Sequence, residues 1–274
     1  MKTSPLSLRP VTPVIGAEVR GVDLDALDDD SLEAIRDALM EHLVLFFRDQ
    51  DISIESQKAL GAWFGELVEH PNEPGIEGHP EVFRIHADET SVRATGERWH
   101  SDVSCDPVPP MGSILRLHTV PESGGDTLFA NMYAAWEALS DHMKGLLEGL
   151  TAVHDGGPFY REVNRLIGRD DGGRSYPSAE HPVVRTHPLT GRKALFVNEM
   201  FTVRIVGLPR GESIGLLDFL FRHVQRPDFH CRFRWRPHSV AFWDNRCTQH
   251  HAIWDYFPHV RSGYRVTVRG ERPV

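Results

Sequence analysis

The sequence predicts an α+β fold with a substantial antiparallel sheet, and two observations support that prediction. Helical periodicity is concentrated early in the 274 residues, whereas short runs with a period of two dominate late. The chain also contains 19 prolines and 23 glycines, which indicate frequent turns and a strand-rich architecture.

Five segments have the pattern of helices. Residues 30–41 carry apolar side chains three to four positions apart and follow an acidic run that suits the positive end of a helix. Ser53 is a candidate N-cap for the second helix, which we expect to run through Phe64 and to stop near Gly65. Three further helices are predicted at residues 133–139, 141–150 and 212–224.

One strand is predicted directly after the first helix, and others are predicted late in the chain. Residues 43–47 form a continuous apolar run that indicates a buried strand, and residues 240–244 alternate with a period of two. Val266 and Val268 alternate with polar residues, so the valines should lie on one face of a strand. Residues 155–185, rich in Gly, Arg and Asp, are interpreted as a long surface insertion and a candidate active-site lid.

The composition excludes several classes of protein. Lys and Arg total 30 against 39 Asp and Glu, a net charge of −9 that argues against a nucleic-acid-binding surface. No run approaches the ~18 apolar residues of a membrane span. The three cysteines are far apart and odd in number, which is typical of a reducing compartment. We therefore expect a cytoplasmic protein with neither a nucleic-acid nor a membrane partner.

A candidate metal site begins with His100 and Asp102. Residues two apart on a strand project from the same face, and His with a carboxylate suits borderline divalent metals such as iron. Sixteen histidines make about one such His-x-Asp pair expected by chance. His86 and Asp88 form a competing pair, so the spacing alone leaves the choice open.

A third ligand and a buried cation could come from the C-terminal region. His250 and His251 are candidate ligands, and two histidines with one carboxylate leave room on iron for a chelating 2-oxo acid and dioxygen. Arg261 and Arg265 are four residues apart, so both would face the same way on a regular strand. Because two buried guanidinium groups are costly without anions, we expect two anions in this site.

The sequence resembles the taurine/2,4-dichlorophenoxyacetate dioxygenase (TauD/TfdA) family of iron(II)- and 2-oxoglutarate-dependent oxygenases, over nearly the whole chain. The motifs that carry the resemblance occur in order along the sequence: residues 16–24, 47–50 and 64–67, Trp99-His100-Ser101-Asp102, Gly124-Gly125-Asp126-Thr127, and residues 181–188, 198–199, 243–250 and 264–265. The resemblance implies one domain over residues 1–274, with a double-stranded β-helix (jelly-roll) core and flanking helices.

The resemblance also implies a role for individual residues. His100, Asp102 and His250 match the iron ligands, which favours His100 over His86 and leaves His251 outside the ligand set. Other positions match residues that bind the co-substrate or the substrate. Thr127 and Arg261 match the 2-oxoglutarate site, His70 and Arg265 match contacts to the substrate anion, and Asn198 and Phe201 lie in a pocket-lining stretch.

The implied activity consumes Fe(II)-bound 2-oxoglutarate and O2, releases succinate and CO2, and hydroxylates a small anionic organic substrate such as a sulfonate, alkyl sulfate or carboxylate. Taurine itself is not expected, because the segments near His70 and before His100 lack the aromatic and amide residues of taurine-specific members. Relatives imply a homo-oligomer, either a dimer or a tetramer. Two alternatives are a zinc-type metallohydrolase on the same barrel and a non-catalytic 2-oxoglutarate sensor.

Overall fold

The computed structural model describes residues 6–93 and 96–274. The strands, in chain order, are β1 (Ser7–Pro10), β2 (Ala17–Arg20), β3 (Val44–Phe47), β4 (Gly75–Ile76), β5 (His79–Ala87), β6 (Gly112–Thr119), β7 (Thr127–Asn131), β8 (Thr151–Asp155), β9 (Ser178–Pro182), β10 (Val184–Thr186), β11 (Lys193–Leu195), β12 (Thr202–Ile205), β13 (His230–Phe233), β14 (Ser239–Asp244), β15 (Thr248–Ala252) and β16 (Arg261–Val268). The helices are α1 (Asp29–His42), α2 (Ile54–Phe64), α3 (Met132–Glu137), α4 (Asp141–Leu147), α5 (Gly157–Leu166) and α6 (Arg210–Val224), with a 3-10 turn at Pro227–Phe229.

The strands form one large and three small sheets, which confirms the mixed α+β class. The large sheet has the order β1-β2-β3-β14-β6-β16-β5-β4, and its pairs are antiparallel except β2 with β3. The small sheets have the orders β13-β7-β15, β12-β8-β9 and β10-β11. In the described ranges, no helix is long and apolar enough to cross a membrane.

Local capping explains why the first two helices were predictable. The Asp28 carboxylate accepts a hydrogen bond from the Ser31 N–H at 2.8 Å, and α1 ends where Leu43 takes a left-handed conformation. The Ser53 hydroxyl accepts from the Ser56 N–H at 3.0 Å at the start of α2, as the sequence predicts. Both helices are confirmed at these positions.

The other predicted helices are present with shifted ends. Helix α3 begins one residue before the predicted start because the Asn131 side chain caps it, and α6 covers the whole predicted segment 212–224. Helix α4 is shorter than predicted: Glu148 leaves helical geometry, and Gly149 follows with φ of +82°. A glycine in this conformation ends a helix at low cost, so the prediction of a helix to residue 150 was wrong.

Residues 155–185, interpreted from the sequence as a long surface insertion, have regular secondary structure. They contain α5 and β9, with Pro158 in the first turn of α5, where its missing N–H costs nothing. Phe159 and Tyr160 are buried, so this helix packs a face inward. The sequence did not reveal α5, because the glycines and charged residues of the segment masked a short amphipathic helix.

Both faces of the large sheet are covered, which explains its continuous apolar runs. On β3, Leu45 and Phe47 join the core beneath α1 and α2, whereas Val44 and Phe46 join the core on the opposite face. Strand β14 is likewise buried on both faces. On β16, Val266 packs into the helix-covered core, so the arginines of that strand are directed to the opposite face, as predicted.

Candidate active site

Three predicted ligands lie together on the face of the large sheet away from α1 and α2. His100 Nε2 is 3.6 Å from Asp102 Oδ1, and His250 Nε2 is 3.9 Å from the same oxygen. All three residues are buried, and one donor atom from each lies within 4.8 Å of the others. The sequence suggested that His100 lies on a strand, but the structure places it outside the regular strands. It forms an isolated bridge with His250 of β15, through two backbone hydrogen bonds of 3.1 and 2.8 Å.

The donor atoms are prepared for a divalent cation. His100 Nδ1 lies 2.7 Å from the Arg98 carbonyl oxygen, so this nitrogen carries the proton and Nε2 keeps a free lone pair. Burial and the neighbouring His100 hold the pKa of His250 well below its usual value, so His250 is neutral. Two neutral imidazoles and one carboxylate are the ligand set of non-haem Fe(II) oxygenases, and these residues fit that metal.

Asp102 is held in place by residues that the sequence did not indicate. Its Oδ2 accepts a 2.7 Å hydrogen bond from the Ser113 hydroxyl, and its backbone N–H donates to Asn245 Oδ1. The Asn245 amide also donates to Ser113, so the two residues form one supporting network. Ligand orientation of this kind ordinarily changes metal affinity by about 10- to 100-fold.

Arg265 pairs with Asp102, which the sequence did not predict. Its Nη1 lies 2.7 Å from Asp102 Oδ1. Burial alone would raise the pKa of Asp102, but the Arg265 guanidinium outweighs burial and holds that pKa well below its usual value. Asp102 is therefore a carboxylate, and it is one of the anions that the two-arginine pattern required.

Arg261 lies in a narrow inner pocket behind the ligand cluster, with about 400 Å³ of empty space including its open side. Its Nε donates to the Gly125 carbonyl at 3.1 Å, and its Nη2 lies 3.5 Å from Thr127 Oγ1. Burial lowers the pKa of Arg261, and no carboxylate in the described ranges forms an ion pair with it. A buried guanidinium without an anion indicates a binding site for one. Other residues lining this inner pocket are Phe129, Trp235, Trp243 and His250.

A larger outer cavity opens on the other side of the cluster and contains about 1040 Å³ of empty space, including its mouth. His70 lies in its wall, stacked on Phe83 with ring centroids 4.8 Å apart. His70 Nδ1 accepts hydrogen bonds from the N–H groups of Asn72 and Glu73, at 3.2 and 3.0 Å. Burial and Arg265 lower the pKa of His70 to about 3, so the neutral ring carries its proton on Nε2.

Phe201 and Asn198 have different positions, although the sequence placed both in the pocket lining. Phe201 lines the outer cavity, whereas Asn198 does not. The Asn198 amide donates to Ser104 Oγ at 2.8 Å and its oxygen accepts from the Phe201 N–H at 2.9 Å. Asn198 therefore shapes the turn that carries Phe201, and its polar atoms are occupied within the protein.

Several residues of the outer cavity were missed by sequence reasoning. They are mainly apolar and come from α5 and the turns beside it: Val103, Phe159, Tyr160, Val163, Ile167 and Met200. The inward face of α5 was the one signal available, and the composition of residues 155–185 masked it.

The competing histidines do not join the cluster. His86 lies in the wall of the outer cavity, with its Nε2 3.2 Å from Asp88 and its Nδ1 3.1 Å from Ser262 Oγ. His251 is on the other face of β15 from His250, and its ring lies 5.6 Å from that of Trp99. Neither belongs to a set of three potential ligands among the described residues.

A second buried cluster, formed by His187, Asp244 and Cys247, has the wrong chemistry for a metal. Arg246 binds both Asp244 oxygens, at 2.9 and 2.7 Å. His187 Nδ1 accepts from the Leu189 N–H, so the Nε2 proton points toward Asp244. Burial holds the pKa of Cys247 well above its usual value, which keeps the thiol protonated. This cluster is a structural hydrogen-bond network.

Comparisons with known proteins agree with this geometry. The family model described as "Taurine catabolism dioxygenase TauD, TfdA family" matches residues 7–267. The chain is 38% identical to an alpha-ketoglutarate-dependent sulfate ester dioxygenase of Pseudomonas putida, covering 98% of this chain and 91% of the relative. It is also 38% identical to an alkylsulfatase of Acinetobacter baylyi, covering 98% and 86%.

Among solved structures, a taurine dioxygenase from Burkholderia xenovorans superposes with a TM-score of 0.85 at 40% identity, covering 98% of this chain and 92% of that one. These matches confirm the resemblance inferred from the sequence, and with it the enzyme class and the requirement for Fe(II), 2-oxoglutarate and O2. The chain belongs to the TauD/TfdA family of dioxygenases.

Proposed function

We propose that this protein hydroxylates a small anionic organic substrate, a sulfonate, an alkyl sulfate or a carboxylate, and releases succinate and CO2. One observation carries the proposal: the His100, Asp102 and His250 cluster lies between two cavities, each with a buried arginine. Arg261 is in the inner pocket, and Arg265 lines both cavities. When bound by these three residues, iron would supply the activation of dioxygen and the oxidative decarboxylation of 2-oxoglutarate.

The inner pocket suits 2-oxoglutarate. Arg261 would bind its distal carboxylate, because a guanidinium fork matches a carboxylate and this one lacks an anionic partner in the described chain. Thr127 Oγ1 accepts from Trp235 Nε1 at 2.9 Å, so its own O–H remains available to donate to the same carboxylate. The aromatic walls of this pocket would exclude water around the pair.

The outer cavity suits the substrate anion. His70 offers a neutral Nε2–H donor, and Arg265 offers a charged one beside it. Arg265 Nη1 is bound to Asp102, but its Nε is buried without a partner and its remaining N–H groups can serve a ligand. The headgroup would thus be held next to the metal ligands, and the carbon that bears it would be positioned toward the metal.

Relatives support sulfur-containing anions as the first substrates to test. The two curated relatives are named as acting on sulfate esters. Hydroxylation at the carbon that bears the heteroatom would give a product that breaks down and releases the sulfur group. We also propose the finer features that the resemblance implies: a jelly-roll core, residues 155–185 as an active-site lid, a dimer or tetramer, and a cytoplasmic location. The lid is supported by the α5 side chains in the cavity wall.

The test is a panel of sulfonates, alkyl sulfates and carboxylates incubated with the full chain, Fe(II) and 2-oxoglutarate, in air and under nitrogen. We expect at least one anion to yield succinate and a hydroxylated or cleaved product in equal amounts, and only in air. Turnover that continues under nitrogen would instead indicate a metallohydrolase. Binding of 2-oxoglutarate without succinate from any anion would indicate a sensor.

A further inference from the structure

We propose that Val92 and Ile167 form an apolar rim that binds the uncharged hydrocarbon chain of the substrate. The substrate is then an amphiphilic anion, with its headgroup at Arg265 and His70 and its chain directed toward the mouth of the outer cavity. This inference rests on the proposed function, and it names the part of the substrate that lies away from the metal.

The rim consists of exposed apolar side chains from two separate segments. Val92, in the loop after β5, is 57% exposed, and Ile167, at the end of α5, is 45% exposed. Single exposed apolar residues are common on protein surfaces and need no explanation. These two, however, line the same cavity that contains Arg265 and Asp102. Their exposure is therefore continuous with the candidate active site.

Although Arg84 and Arg93 also line the cavity, the side of its wall nearest α5 is apolar. It is formed by side chains from α5 and from the turns at residues 103 and 200–201, namely Val103, Phe159, Val163, Met200 and Phe201. A hydrocarbon chain along this wall would bury apolar surface on both sides. Each buried methylene strengthens binding by about fourfold.

The charges in the outer cavity disfavour a cationic chain. Of the described residues that line it, Glu73 and Asp102 are the carboxylates. Glu73 binds Arg169 at 3.0 Å and the Asn72 amide at 2.8 Å, and Asp102 binds Arg265 at 2.7 Å. An ammonium group on the substrate would find both carboxylates occupied, and burying an unpaired charge is costly. The other charged side chains of the lining, Arg84 and Arg93, are positive as well, so the cavity disfavours a cationic chain.

The experiment measures equilibrium binding by calorimetry, with the full chain, Fe(II) and 2-oxoglutarate, in the absence of oxygen so that no turnover occurs. The probes are linear alkanesulfonates of two, three, four, six and eight carbons, together with taurine. We expect affinity to rise about fourfold per methylene. We expect propane-1-sulfonate, which has the shape of taurine without its ammonium, to bind at least about tenfold more tightly than taurine.

Two variants and one matched control locate the effect. We expect Val92→Ser and Ile167→Ser each to weaken the eight-carbon probe by about tenfold and the two-carbon probe by less than twofold. The control, Ile214→Ser, removes an isoleucine of similar exposure (48%) on α6, outside the cavity, and should change neither. Because the three residues are exposed, melting temperatures should stay close to that of the wild type.

The outcomes separate this inference from the proposed function. If short sulfonates bind and are consumed but affinity does not rise with chain length, or if both rim variants keep the wild-type slope, the rim has no role and the function stands. Equal binding of taurine and propane-1-sulfonate would also overturn the inference. If no anion of any length binds, the proposed function itself fails.

Discussion

Arg261→Met separates a ligand-binding role for Arg261 from a structural one. The arginine is buried, it donates to the Gly125 carbonyl and to Thr127, and no ion pair offsets its charge within the described chain. Without 2-oxoglutarate, that charge opposes folding, so we expect the ligand-free variant to be at least as stable as the wild type. Methionine is unbranched and fills a similar volume, which limits the cavity that the substitution leaves.

The magnitude follows from the contacts that the variant would lose. A buried, hydrogen-bonded charge pair is worth about 2–5 kcal/mol when one partner is removed. We therefore expect the KM for 2-oxoglutarate to rise by roughly 100-fold, with a smaller change in kcat at saturation. In the wild type, 2-oxoglutarate at about 100 times its Kd should stabilise the protein by ~2.7 kcal/mol, and this stabilisation should be lost in the variant.

Two assays under the same conditions give the answer: succinate formation against 2-oxoglutarate concentration, and thermal unfolding with and without 2-oxoglutarate in anaerobic Fe(II) buffer. Arg232→Ala is the control, because Arg232 is a half-exposed arginine that pairs with Asp126 near the same pocket. It should change the KM by less than about twofold. A normal KM in Arg261→Met, or a ligand-free variant that is much less stable than the wild type, would refute this reasoning.

Three further substitutions have specific expected outcomes. Ser113→Ala removes a hydrogen bond to Asp102 and should weaken Fe(II) binding by about tenfold, as measured by anaerobic calorimetry; unchanged affinity would show that the network does not orient the ligand. Thr127→Val should raise the KM for 2-oxoglutarate by about tenfold and lower stability by ~1–2 kcal/mol, because it leaves the buried Trp235 N–H unpaired. Burial lowers the pKa of His154 to about 3, so this imidazole stays neutral in the native state at a pH where it gains a proton in the unfolded state. The free energy of unfolding should therefore fall as pH drops below 6.5. Urea unfolding should show a loss of stability between pH 7 and pH 5.5 that is smaller by ~1 kcal/mol in His154→Gln; an equal loss in both proteins would show that His154 is not the group responsible.

The parts of the fold that depend on residues close together in the sequence could be predicted from the sequence. Asp28 and Ser53 each accept a hydrogen bond from a backbone N–H three residues later, and the apolar run of β3 by itself indicates a strand buried on both faces. The end of α4 at Gly149 and the presence of α5 could not be read so simply. In α5, the inward face depends on contacts with Phe201, about forty positions away, and composition does not show them.

The sequence indicated the candidate metal ligands but not the hydrogen bonds and ion pair that hold Asp102 in place. The His-x-Asp spacing left His86 and His100 equal, and only resemblance over the whole chain favoured His100. The structure adds the reason: the backbone of His100 pairs with that of His250. The pairing of Arg265 with Asp102 joins residues 163 positions apart, and the Ser113 hydroxyl reaches Asp102 from β6. Such contacts depend on sheet topology, which no local pattern specifies.

The central claim is that His100, Asp102 and His250 together hold one ferrous ion. Anaerobic titration of the protein with Fe(II), monitored by calorimetry, tests it most directly. We expect one equivalent to bind to the wild type and to His251→Ala, and affinity to fall by at least about 100-fold in Asp102→Ala and His250→Ala. Wild-type affinity in either of those two variants, or loss of binding in His251→Ala alone, would contradict the assignment.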